Sequence, residues 1–341
     1  MESIRRRLYE IAGNGGLPDP AALHSDLESA LEILRSEGPP RRPLDDAGRP
    51  GGLIYLRPDV PTVIVPDVHA RIDLVLSVLD LPTAPWGLGG TLLSALLGNE
   101  AQLLFLGDYV HAESRAAGRW LQAFEEFQDS YAEHDAMDAE MAESLTVLRL
   151  VGRLRSASPE MVHCLKGNHE NVANEHRDGN IPFGKFAYEG AMVADYMRRF
   201  YPSVFETVYE FEKSLPLLAV GARFLAGHAE PARVYTKEEI INHRFDGEVV
   251  AGLTWTANDA AAPGSVAGML STLLPPAAGD RSLYFGGHRP IDDLYNLRAE
   301  GRYVQLHNPE RLIAAVVPAD RPFDLDHDVV EVPKAEAAFY G

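Results

Sequence analysis

A set of residues that can bind a metal ion or transfer a proton is distributed along the middle of the chain. These residues are Asp67, His69, Asp108, Asn168, His169, His228 and His288. Oxygen and imidazole donors without a thiolate suit Mn²⁺, Fe or Zn²⁺. Asp67 and His69 also suit chelation by one segment, because alternate residues of an extended chain point the same way. A metal-assisted reaction is therefore the chemistry to consider first.

Each of these residues follows a short apolar run that ends close to Gly or Pro. The five runs are Thr62–Val65, Leu103–Leu106, Met161–Leu165, Phe224–Ala226 and Leu283–Phe285. Runs of this length predict buried strands. Helical patterns lie between them, which indicates an α/β fold. Because ligands in such folds bind beyond the carboxyl ends of the strands, we expect the polar residues to meet there.

The motifs resemble those of the calcineurin-like metallophosphoesterases, and within them the phosphoprotein phosphatase branch of bacterial type. The matching segments are Pro66-Asp67-Val68-His69-Ala70, Gly107-Asp108-Tyr109-Val110-His111, Gly167-Asn168-His169-Glu170, Gly227-His228-Ala229 and Gly287-His288-Arg289-Pro290. The intact Gly-Asn-His-Glu is the most specific of them. Their order and strand context agree over about residues 62–307.

This resemblance implies an α/β fold of four layers, an αββα sandwich in which two mixed β-sheets are flanked by helices. It also implies two divalent metal ions, with Mn²⁺ favoured and Fe or Zn²⁺ as alternatives. Asp67, His69 and Asp108 would bind the first ion. Asp108, Asn168, His228 and His288 would bind the second, so that Asp108 bridges the two. His169 would be the general acid.

The sequence departs from the family where Asp-Arg-Gly is expected, since it has His111-Ala112-Glu113 there. An imidazole at His111 does not supply the negative charge that normally orients the general acid. Glu113, or another carboxylate, could substitute for it. We expect His111, Glu113 and Glu170 to contact the ligands and the general acid rather than the ions.

The family's phosphate-binding arginine is missing at the same place. Arg115 and Arg289 are the candidates to replace it, and Arg244 is a rival. A further departure lies in the closing strand, where His307 follows Tyr303–Leu306. His307 could approach the site, and we expect a supporting or structural role for it.

The implied reaction is hydrolysis of a phosphomonoester by direct attack of metal-bound hydroxide. The leading hypothesis is an enzyme like the Ser/Thr protein phosphatases, with a phosphorylated substrate. An alternative is hydrolysis of a nucleotide polyphosphate of the diadenosine tetraphosphate type. A hypothesis of another class is an inactive pseudophosphatase that binds phosphate but does not hydrolyse it.

The chain divides into three predicted parts. Residues 1–50 form a helical extension and linker, in which Asp19-Pro20 opens a helix that ends near Gly38. Residues 51–325 form the catalytic domain, with a helical insertion at 112–158. Residues 326–341 form a C-terminal tail. We expect the insertion to be a structural cap, with a lid over the site as the alternative.

The net charge, the cysteine content and the apolar stretches bear on the partners and the location of the protein. The 341 residues carry a net charge of −19, which argues against nucleic acid and anionic membranes as partners. The chain has one cysteine, Cys164, which fits a reducing compartment. Its longest apolar stretch is too short to span a bilayer. We therefore expect a cytoplasmic protein.

Overall fold

The structure is a computed structural model that describes residues 2–279 and 281–335, within which eleven strands form two mixed β-sheets. The strands are β1 (Leu53–Tyr55), β2 (Thr62–Val65), β3 (Gln102–Phe105), β4 (Val162–Cys164), β5 (Leu218–Val220), β6 (Phe224–Gly227), β7 (Leu283–Gly286), β8 (Asn296–Arg298), β9 (Tyr303–Gln305), β10 (Ile313–Val317) and β11 (Val329–Glu331). The first sheet has the order β11-β10-β2-β3-β4, and the second has the order β1-β5-β6-β7-β9-β8.

Twelve α-helices within the same described ranges surround the sheets. They are α1 (Glu2–Gly13), α2 (Pro20–Ser36), α3 (Ile72–Leu79), α4 (Leu92–Leu97), α5 (Ala117–Gln128), α6 (Asp135–Ala157), α7 (Glu189–Phe200), α8 (Pro202–Ser214), α9 (Lys237–Ile241), α10 (Gly247–Thr254), α11 (Ser265–Leu273) and α12 (Leu325–Asp328). None of these helices is long and apolar enough to cross a membrane.

The five predicted strands are confirmed as β2, β3, β4, β6 and β7. In the first sheet β2, β3 and β4 run parallel, with Val63 opposite Leu103 and Leu103 opposite Val162. In the second sheet β6 and β7 run parallel, with Leu225 opposite Tyr284. Parallel neighbours end at the same edge, so the loops after these strands leave each sheet together.

Alternate residues of these strands enter different apolar cores, which explains why the runs are apolar throughout. In β2, Ile64 contributes to the core between the sheets. Val63 and Val65 instead contribute to the core beneath the helices outside the first sheet. A separate core lies outside the second sheet, where Leu225 packs with Val249. The expected four-layer αββα sandwich is confirmed.

The helical elements predicted outside the sheets are also present. Asp19 is the N-cap of α2, and its carboxylate accepts a hydrogen bond of 2.8 Å from the Ala22 N–H. Leu23 and Leu27 of this helix belong to the same core as Val63. The predicted insertion forms α5 and α6, which pack against each other. Within the predicted tail, β11 pairs with β10, and residues 336–341 lie outside the described residues.

A buried ion cluster joins the N-terminal segment to α6. The Glu37 carboxylate, which follows α2, accepts hydrogen bonds from Arg42 at 2.7 Å and from Arg155 of α6. All three side chains are at most 1% exposed. Arg42 also donates to the backbone oxygens of Gly51 and Ser214. One carboxylate therefore neutralises two buried guanidinium groups.

Substitution of Glu37 should destabilise the whole chain. Glu37→Ala leaves Arg42 and Arg155 buried without a counter-charge, which is expected to lower the free energy of unfolding by roughly 3–5 kcal/mol. Glu160→Ala is the matched control, because Glu160 pairs with Arg41 at the surface and such pairs contribute about 0–1 kcal/mol. Denaturant unfolding followed by circular dichroism measures both values. Equal losses in the two variants would contradict the prediction.

Candidate active site

The residues predicted from the strand ends converge at the edge where the two sheets meet. Asp67 and His69 follow β2, Asp108 follows β3, Asn168 and His169 follow β4, His228 follows β6 and His288 follows β7. Three groups of ligand atoms each lie within 4.8 Å of one another. The groups are Asp67 with Asp108 and His228, His69 with Asp108 and His169, and Asp67 with His69 and His307.

The residues assigned to the first metal ion lie around a common point. His69 Nε2 is 3.9 Å from Asp67 Oδ1 and 3.6 Å from Asp108 Oδ2. His69 Nδ1 is 3.0 Å from the His111 carbonyl oxygen. Because a carbonyl only accepts hydrogen bonds, Nδ1 carries the proton and Nε2 presents a lone pair to the carboxylates.

The residues assigned to the second ion show the same arrangement. Asn168 Oδ1 is 2.9 Å from His228 Nε2 and 2.8 Å from His288 Nδ1. His228 Nε2 is also 3.4 Å from Asp108 Oδ2. His228 Nδ1 donates to the Leu106 carbonyl at 3.1 Å, which leaves a lone pair on Nε2. This lone pair faces carboxylate and amide oxygens, an arrangement that a shared cation stabilises.

Burial sets the charges of these ligands. Burial raises the pKa of Asp108 well above its usual value, and the neighbouring Glu170 and Asp67 raise it further. Burial opposes ionisation of Asp67 as well, yet His307, whose own pKa the Asp67 charge raises, holds the pKa of Asp67 below the usual value. Burial lowers the pKa of His228 to about 4 and that of His288 to about 2. Neutral imidazoles beside buried carboxylates form a donor set that fits divalent cations.

Two glycines allow the carboxylates to take these positions. A Cβ atom on Gly287 would lie 1.8 Å from Asp67 Oδ2, and one on Gly167 would lie 2.2 Å from Asp108 Oδ1. Side chains at either position would displace a ligand atom. The residues present therefore fit a metal ion in backbone geometry as well as in chemistry.

Glu170 joins the loops that follow β3 and β4. Its carboxylate accepts backbone N–H bonds from Gly167 at 2.6 Å, Asp108 at 2.8 Å and Tyr109 at 2.9 Å. The Lys166 ammonium group donates to the Glu170 carbonyl. Glu170 thus fixes the backbone that carries Asp108, in the supporting position expected for it.

His169 has an imidazole as its partner. His169 Nδ1 lies 2.8 Å from His111 Nδ1, and His169 Nε2 lies 3.8 Å from Asp108 Oδ2. Burial lowers the pKa of His169 well below its usual value and that of His111 to about 3. Both rings are therefore neutral at pH 7. Glu113 lies against His69 and His307 instead, at 3.7 Å and 2.9 Å.

The insertion holds the loop that carries His111. Ser144 Oγ of α6 accepts the His111 N–H at 3.2 Å, and Glu140 of α6 accepts the Ala112 N–H at 2.8 Å. Trp120 of α5 donates from its indole N–H to the Ala112 carbonyl at 2.7 Å. These contacts are those of a structural support for the site.

A cavity of about 300 Å³ opens onto the site. Arg289 and Lys185 line it, together with the rings of Phe183 and Trp255. Arg115 is not among the lining residues and pairs with Glu143 at 2.6 Å. The rival Arg244 lies elsewhere and donates to the Pro50 carbonyl. Arg289 is thus the predicted arginine that faces the cavity, and its phosphate-binding role stays a prediction.

Sequence reasoning missed Lys185 and Phe183 as residues of this cavity. Lys185 is half exposed and lies 3.8 Å from Glu113, while Phe183 stacks on His111 with ring centroids 5.6 Å apart. Both lie in an irregular segment between β4 and α7, in which no apolar period marks the position of a side chain. Neither residue belongs to one of the matched motifs, so the sequence gives no signal for them.

Two mixed sheets within flanking helices, with the candidate ligands at the carboxyl ends of the strands, give this chain the fold of the phosphoprotein phosphatases. The solved structures similar to it include the protein serine/threonine phosphatase of Saccharomyces cerevisiae that resembles human phosphatase PP5. The TM-score is 0.57 at 15% sequence identity, over 92% of this chain and 89% of that chain. This likeness establishes the fold.

Weaker structural similarity exists to the cold-active protein-tyrosine phosphatase of a psychrophilic Shewanella species. Its TM-score is 0.43 at 12% identity, over 84% of this chain and 79% of that chain, which is too low to support an inference. No family model matches the sequence, and no curated protein sequence matches it significantly.

The pair of histidines can be tested by a change at His111. In His111→Asp a carboxylate faces His169, which should raise the pKa of His169 by roughly one to three units, because a neighbouring negative charge favours the imidazolium. His111→Asn is the neutral control. Titration of the His169 ring signals by NMR measures the pKa. An unchanged pKa in His111→Asp would show that the two rings are not in contact.

Proposed function

We propose that this chain is a phosphomonoesterase that uses two divalent metal ions. The observation that carries the proposal is the set of lone pairs that meet around Asp108, with which no lysine or arginine of the described residues forms an ion pair. His228 Nε2, His69 Nε2 and Asn168 Oδ1 contribute to this set. Asp67, His69 and Asp108 would hold the first ion. Asp108, Asn168, His228 and His288 would hold the second.

Two such ions would lower the pKa of a water molecule, orient the phosphoryl group and neutralise its charge. The chain supplies the geometry for this chemistry. Glu170 fixes the loops of Asp108 and Gly167, and the carbonyls of His111 and Leu106 fix the imidazole tautomers. Little of the site needs to rearrange when a substrate binds.

His169 is the proposed general acid. When His111 donates from Nδ1 to His169 Nδ1, the proton of His169 is held on Nε2. Nε2 lies on the side of Asp108, and the ring lines the cavity. In this tautomer His169 would give its Nε2 proton to the oxygen of the leaving group, and a proton from solvent would restore the imidazole. His111 is then a positioning residue that selects the tautomer.

The substrate is proposed to be a phosphorylated Ser or Thr side chain. Lys185 and Arg289 line the cavity and supply positive charge for a phosphate in a chain whose net charge is −19. The shared fold with a serine/threonine phosphatase supports this substrate class. Mn²⁺ is the proposed metal, because carboxylate and imidazole ligands without thiolate suit it.

Two substitutions distinguish a catalytic residue from a bridging ligand. His169→Asn should lower the turnover of p-nitrophenyl phosphate with Mn²⁺ by about 10²–10⁴-fold while the metal content stays near two ions per chain. Asp108→Asn should lower both activity and metal content, because its carboxylate serves both ions. Steady-state kinetics and elemental mass spectrometry measure the two quantities. His176→Asn, at an exposed position, is the control.

Each outcome has a distinct meaning. Unchanged activity in both Asp108→Asn and His169→Asn would refute the proposal. Loss of metal in His169→Asn would make His169 a ligand. Turnover of diadenosine tetraphosphate but not of phosphoserine peptides would favour the nucleotide polyphosphate alternative. A chain that binds metal and phosphate but hydrolyses neither substrate would be a pseudophosphatase.

A further inference from the structure

His307 is buried among the residues of the proposed first metal site. It follows β9, its side chain is 0% exposed, and its Nδ1 lies 3.9 Å from Asp67 Oδ2. Its ring centroid lies 5.2 Å from that of His69. Ligand atoms of Asp67, His69 and His307 all lie within 4.8 Å of one another. An imidazole at this place is within reach of an ion held by the other two residues.

Glu113 reaches the same point from the loop after β3. Its Oε1 is 3.7 Å from His69 Nε2, and its Oε2 is 2.9 Å from His307 Nε2. Only 13% of its side chain is exposed. The family resemblance places a glycine where this chain has Glu113. The carboxylate is therefore an addition to the site, inserted beside the position where the family's Asp-Arg pair is absent.

The Glu113 carboxylate contacts Nε2 of His307 at 2.9 Å, the distance of a hydrogen bond. Within residues 2–279 and 281–335, the other ring nitrogen, Nδ1, has no hydrogen-bond partner, and it lies 3.9 Å from Asp67 Oδ2. Buried polar atoms of proteins are rarely left without a partner. A cation between the imidazole and the carboxylates would satisfy both groups.

We infer that Glu113 and His307 bind the first metal ion together with Asp67, His69 and Asp108. This inference rests on the proposed dimetal site and extends its ligand set. The first ion then has three carboxylates and two imidazoles from the chain. The second ion has a single carboxylate, that of Asp108, besides Asn168 and two histidines. Because charge strengthens cation binding, the first site fills first and releases its ion last.

Metal titration of the stripped protein tests the inference. Wild-type protein, Glu113→Gln and His307→Asn are freed of metal with a chelator and titrated with Mn²⁺ by isothermal calorimetry. Each variant should raise the dissociation constant of the first ion by about tenfold or more and leave that of the second unchanged. Elemental analysis after gel filtration should then find about one ion per chain instead of two.

Exposed residues of the same types serve as controls. Glu133→Gln and His176→Asn should bind Mn²⁺ as the wild type does. Circular dichroism of the metal-free variants verifies that they fold. A purely structural role would lower their melting temperature and leave the first dissociation constant unchanged, and this result would overturn the inference.

The proposed function and the inference fail in different ways. If the wild-type chain binds no Mn²⁺, Fe²⁺ or Zn²⁺, the dimetal proposal itself is wrong. If the wild-type chain binds two ions and both variants bind the first ion with the wild-type affinity, only the extension to Glu113 and His307 is wrong. If Glu113→Gln and His307→Asn weaken the second ion instead, their assignment to the first ion is wrong.

Discussion

Two carboxylates, those of Asp67 and Asp108, are buried together where the sheets meet. The groups that pair with them are histidines, among which burial lowers the pKa of His228 to about 4. In the described parts of the chain no lysine or arginine forms an ion pair with either carboxylate. Burying negative charge is costly unless a cation compensates it. This cost explains the other features of the site. Imidazole nitrogens present lone pairs, and glycines leave room for the carboxylates. Glu170 fixes the loops by accepting hydrogen bonds from backbone N–H groups.

The candidate ligands lie in sharp backbone turns that directly follow the strands. Asp108, His69 and His288 have positive φ angles of 51°, 45° and 64°, as does Ala70 at 58°. Side chains disfavour this conformation, and such residues cluster at functional sites where the surrounding structure enforces them. Here the enforcement comes from hydrogen bonds between the loops, such as that of the Asp108 N–H to Glu170 and that of the His288 N–H to Asp67. Ligand positions are thus a property of the sandwich and do not depend on one flexible loop.

Much of the fold and of the candidate site could be predicted from the sequence. The parts that could not be predicted depend on contacts between distant segments of the chain. Apolar runs such as Thr62–Val65 identify strands because both faces are buried, and parallel pairing then brings their ends together. An approach of His307 to the site could be suggested from the sequence, but its contact with Glu113 could not, because it depends on how the second sheet faces the first. Contact between His111 and His169 was expected from the resemblance, but the pairing of their Nδ1 atoms was not, because the two residues lie 58 positions apart in irregular loops.

Helix α6 takes part in two contacts that lie far apart along its axis. Arg155 near its C-terminal end binds Glu37 of the N-terminal segment, while Glu140 and Ser144 near its start hold the loop of His111. A helix of 23 residues spans roughly 35 Å. Because it is one continuous helix, α6 connects the two contacts rigidly. Deletion of residues 1–50 would therefore remove the contact that holds the C-terminal end of α6, the helix that supports the loop of His111.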